Sequence, residues 1–77
     1  MKMLEYVKLI LEKVSFEKKL FEKELNKGLK MLSVKELKEL RKWCYEKFGS
    51  AYKGVLNRAF SRAFYSFNLK RRSQNIA

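Results

Sequence analysis

Ser33-Val34-Lys35-Glu36-Leu37-Lys38-Glu39-Leu40 is the stretch on which the fold turns. A serine followed three residues later by a glutamate forms a capping box, each side chain accepting from the other residue's free backbone N–H, so a helix starts at Val34. Leu37, Leu40, Cys44 and Phe48 then recur with Val34 at three- and four-residue steps, the period of one helix face and not of a strand. Gly49 suits the left-handed position that closes a helix, so this helix is expected over 34–48, with Ser50 restarting the chain.

Toward the N-terminus, Phe16, Leu20, Phe21, Leu25, Leu29 and Leu32 make a second stripe, expected over 16–32. Ser15 is its expected N-cap, and Glu17 stands where the helix dipole favours an acid. Gly28 lies on the same face. It either lets another helix approach closely or, with Asn26 and Lys27, opens a turn; the spacing carries through it and favours a continuous helix. Met3, Val7, Ile10, Leu11 and Val14 give a further helix over 2–14, with Glu5, Lys8 and Glu12 on its far side.

Toward the C-terminus, Tyr52, Val55, Leu56, Ala59, Phe60, Ala63, Phe64 and Phe67 spread over about half the circumference of a helix expected at 51–67. Residues 68–77 lose the periodicity and are expected to be a basic, mobile tail. The fold expected is all-α: one small domain, 1–67, of about four amphipathic helices. Absence of proline and a count of three glycines exclude the turn-rich all-β folds. At 77 residues there is room for one modest core, which dimerisation would extend. A lone cysteine, Cys44, forms no internal disulfide and suits a reducing compartment. No apolar run approaches the ~20 residues that cross a bilayer, and charges interrupt any signal-peptide core, so a cytoplasmic protein is expected.

The chain has neither histidine nor aspartate, which removes the commonest general base, the commonest metal ligand and the orienting acid of a nucleophilic triad. No enzyme, cofactor, metal site or small-molecule substrate is expected. Leu40 and Phe48 flank Cys44 one turn away and make it a core thiol rather than a nucleophile. The glutamates fall beside lysines at helical spacing and act as solvated ion pairs. Gly49 to Gly54 has the glycine spacing of a phosphate loop, but Val55 and Leu56 stand where Lys and Ser/Thr are required.

Charge singles out one region. Residues 1–49 hold thirteen Lys/Arg and all eight Glu, a net of +5, whereas 50–77 hold six Lys/Arg and no acid. Two kinds of partner fit that end. Trp43, Phe60, Phe64 and Phe67 offer more aromatic surface than one neighbouring helix needs, so a non-catalytic module meeting a protein, or a second copy of itself, through the last helix is the first expectation. Arg58, Arg62 and Tyr65 stand one turn apart on the opposite side, and with Lys70, Arg71 and Arg72 they form candidate contacts to nucleic acid. The two helices around Gly49 also have the layout of a helix-turn-helix. A membrane-surface role for the cationic last helix is the weakest fit.

The strings Leu11-Glu12-Lys13-Val14-Ser15-Phe16-Glu17, Leu20-Phe21-Glu22-Lys23-Glu24-Leu25 and Trp43-Cys44-Tyr45-Glu46-Lys47-Phe48 resemble short uncharacterised all-helical bacterial proteins. The resemblance covers about residues 3–60, contains no functional motif, and implies a bacterial, intracellular protein without assigning any site.

Overall fold

The structure, a computed structural model, describes the backbone of residues 2–76 and the side chains of residues 2–66. Three helices follow one another: α1 (Met3–Val14), α2 (Lys18–Leu29) and α3 (Val34–Ile76), with no strand among the described residues. The expected third and fourth helices run together as α3, two helical stretches that meet at a kink. It stays helical through Gly49 and bends at Tyr52 (φ −124°, ψ 26°), giving a first limb at 34–51 and a second at 53–76.

Tyr52, the residue at the bend, packs against residues some thirty positions away. The Tyr52 ring stacks on Phe21 of α2 at 4.5 Å, and its hydroxyl donates to the Ser15 carbonyl after α1. Phe21 in turn meets Phe48 edge-on at 5.1 Å. No glycine adopts the left-handed conformation, so the expected stop at Gly49 does not occur. Across the bend, the Tyr45 hydroxyl donates to the Asn57 side-chain carbonyl and ties the two limbs together.

The capping box forms as expected: the Ser33 N–H donates to Glu36 at 3.0 Å and the Glu36 N–H to the Ser33 hydroxyl at 3.3 Å. Hydrogen bonds from Ser33 hold the Glu36 carboxyl below its ordinary value. At the other boundary the cap differs from expectation. Ser15 turns back to donate to the Glu12 carbonyl, and Glu17 caps α2 by accepting from the N–H groups of Lys19 and Leu20. The helix thus starts at Lys18, and Phe16, expected on its inner face, is 80% exposed.

α2 ends at Leu29 rather than Leu32, with the Met31 N–H closing onto the Gly28 carbonyl. Gly28 stays within the helix and serves close approach: a β-carbon there would stand 2.9 Å from Val7 Cγ1 on α1. The α1 face is rotated from the expected stripe, so that Leu4, Val7 and Leu11 are buried while Met3 is exposed. These residues meet Phe21, Leu25, Leu37, Leu40, Cys44, Leu56 and Phe60 in one continuous core. Each large side chain so buried contributes about 1.5–3 kcal/mol.

Candidate nucleic-acid interface on the second limb

The second limb divides cleanly by face. Val55, Leu56, Ala59 and Phe60 are buried, and the side turned to solvent is Lys53, Gly54, Asn57, Arg58, Ser61, Arg62, Tyr65 and Ser66. No acid stands on it. Arg58 reaches across to Glu22 of α2 at 3.1 Å, an exposed pair of the kind worth at most about 1 kcal/mol and easily exchanged for another anion. Arg62 projects beside it over a groove between α2 and the second limb, where Asn26 and Lys30 of α2 stand opposite. Tyr65 is 68% exposed. Arg58, Arg62 and Tyr65 are thus brought together on one surface, while the side chains of Phe67, Lys70, Arg71 and Arg72 lie outside the described ones; the helix expected to end at 67 continues through the expected tail to Ile76.

The aromatic set fares differently. Phe60 is 1% exposed and belongs to the core, so it offers no surface to a partner. Trp43 is half-buried and already engaged: the ammonium groups of Lys8 and Lys47 each lie 5.6 Å from its ring, and Phe48 meets it edge-on at 5.5 Å. Lys47 also pairs with Glu12 at 2.9 Å, so Trp43 is part of a strap joining α1 to α3. Of the described aromatic candidates only Phe64 remains, half-buried against the core. What looked like spare apolar surface is mostly packing between three helices.

The two limbs of α3 meet at the single non-helical residue Tyr52, without the three- to four-residue turn of a helix-turn-helix. Lys53 and Lys30 join the face though sequence spacing did not single them out. Lys53 follows the bend, and Lys30 arrives through α2, which no local pattern reveals.

Cys44 is wholly buried, and desolvation pushes its thiol up to about 12, against a smaller opposing pull from Lys8. A thiol so held is protonated at neutral pH and is not an activated nucleophile. Among the described residues no three His, Cys, Asp or Glu side chains gather where a metal ion could be held, and no helix is long and apolar enough to cross a membrane. No protein-family model, curated protein or solved structure matches the chain.

Proposed function

We propose that this protein is a non-catalytic helical binding module whose working surface is the solvent face of the second limb and whose partner is nucleic acid. One observation carries this: Lys53, Arg58 and Arg62, interleaved with Asn57, Ser61 and Tyr65, are all solvent-exposed on a limb that holds no carboxylate. Arginine and lysine supply phosphate contacts, the amide and hydroxyls supply hydrogen bonds to phosphate or base edges, and an exposed tyrosine can stack. Small residues at Gly54, Ser61 and Ser66 let a backbone approach closely. The cytoplasm suits both this partner and an unpaired cysteine.

The test is fluorescence anisotropy of labelled mixed-sequence DNA and RNA at low salt. For three phosphate contacts to duplex DNA, affinity should fall about 40-fold between 50 and 200 mM salt. Arg58→Ala with Arg62→Ala should weaken binding while leaving the melting temperature almost unchanged. Absence of binding at low salt, or affinity indifferent to the double substitution, overturns the proposal.

A protein partner, or a second copy of the chain, is the alternative that half-buried Phe64 and exposed Tyr65 favour. It calls for sedimentation that shifts with concentration, and for loss of that shift in Tyr65→Ala.

A further inference from the structure

Between α2 and the second limb lies an open groove of about 420 Å³, within the ~300–1,000 Å³ range of small-ligand sites. Its floor is aliphatic, built from Leu29, Leu32, Leu37 and Ala59 with Ala63 at the side. Lys30, just after α2, and Arg62, on the second limb, bring two cations to its lining, and Asn26 and Ser66 are the other polar residues described there. No carboxylate stands among its described lining residues.

We infer that this groove binds an anionic amphiphile: a linear aliphatic chain lying on the leucine and alanine floor, its carboxylate or phosphate head held between Lys30 and Arg62. The chemistry narrows the ligand class in three steps. Two cations without an acid select an anion. The described floor holds no aromatic ring on which a nucleobase could stack, whereas an alkyl chain needs only apolar surface. Nine residues line the groove, far fewer than the roughly 20–30 per side of a stable protein interface, so a small ligand fits better than a protein helix.

The contrast with the other cleft sharpens the assignment. Between α1 and α2 a smaller space of about 210 Å³ is lined by Tyr6, Ile10 and Met31, but Glu24 and Lys27 stand there together and leave no net charge to select a head group. Of these two clefts, the one beside the second limb joins an apolar floor to positive charge that no described carboxylate in its lining offsets.

Arg62 belongs to both the groove and the outer face, so variants that touch one alone separate the two proposals. Decanoate titrated into the full chain and followed by amide and methyl NMR should give saturable shifts at Leu29, Leu37 and Ala63. Lys30→Gln with Arg62→Gln should weaken it about tenfold or more, as loss of charge-assisted contacts implies. Ala63→Leu, which fills the groove, should block it, and Arg58→Ala should leave it unchanged while weakening nucleic-acid binding. Cosedimentation with phosphatidylglycerol vesicles, lost in the same groove variants, would identify a membrane lipid as the source; decanoate binding without vesicle binding would identify a free amphiphile. The proposal falls if neither probe binds, if shifts scatter over the surface without saturating, or if decanol binds as tightly as decanoate.

Discussion

The two limbs of α3 share one core but use their outer faces differently. On the first limb Lys47 pairs with Glu12 and lies over Trp43, Arg41 lies over Tyr45, and Glu36 closes the capping box. Acids and bases alternate there, and most of those named have a partner within the fold. On the second limb, Arg58 makes the one described ion pair, with Glu22, and the rest of the face carries hydrogen-bonding and cationic groups directed at solvent. α3 thus changes from scaffold to surface at Tyr52. Charge that closes on the protein holds the fold, and charge left without an internal counterpart is available to a ligand.

The largest expected effect tests whether Tyr52 is the true boundary. Phe21 is fully buried and touches both the first limb, through Phe48, and the bend, through Tyr52. Phe21→Ala should cost about 3–5 kcal/mol, a large part of the ~4–12 kcal/mol that a chain of this length commands, and thermal unfolding should show a chain near or past its limit. Tyr52→Ala offers the finer instrument: if α3 straightens, seen as altered NMR shifts on both sides of residue 52, then the cluster and not the local sequence sets the bend. Unchanged shifts would return the cause to Gly49, Ser50 and Gly54.

How far each of these features could be read in advance follows from the range of the forces that set it. The box at Ser33 and Glu36 is written within four residues and was legible. So was the inward line of Leu37, Leu40, Cys44 and Phe48. At Ser15 local preference points to the wrong cap: the serine closes α1 and offers its carbonyl to Tyr52, which leaves the cap of α2 to Glu17. Gly49 carries the composition of a stop, yet the helix runs through it and bends three residues later, at Tyr52, which stacks on Phe21. For the candidate site, Arg58, Arg62 and Tyr65 were legible from helical spacing, whereas Asn26 and Lys30 reach the groove only through the packing of α2. Phe60 was misjudged because a wide apolar arc looks alike whether its second edge meets solvent or a third helix.

A smaller effect, on the opposite side of the molecule, examines the scaffold alone. Alanine at 28 would bring a β-carbon to 2.9 Å from Val7 Cγ1, and a buried, β-branched valine cannot swing aside. Overpacking of this kind costs about 1–3 kcal/mol, offset by the roughly 0.5–1 kcal/mol that alanine gains over glycine inside a helix. Gly28→Ala should therefore destabilise by about 1 kcal/mol. Combined with Val7→Ala, which removes the clashing methyls, it should cost less than the two substitutions summed. Nucleic-acid binding by the second limb should be untouched, since α1 and α2 meet away from it.

The smallest expected change in stability bears most directly on the difference between the limbs. Lys47→Ala removes an exposed ion pair and a cation–π contact that together join α1 to α3, and should cost about 0.5–1 kcal/mol in chemical denaturation. Arg62 forms no described hydrogen bond or ion pair with the protein, so Arg62→Ala should change stability by less than about 0.5 kcal/mol. Binding should reverse that order, Lys47→Ala leaving nucleic-acid affinity near its starting value and Arg62→Ala lowering it. If instead the two substitutions weaken binding equally, the protein attracts polyanions through its total charge of +11, and the second limb has no privileged role. An arginine that the fold does not use, on a face without acids, is the residue at which a local site and a diffuse field make opposite predictions.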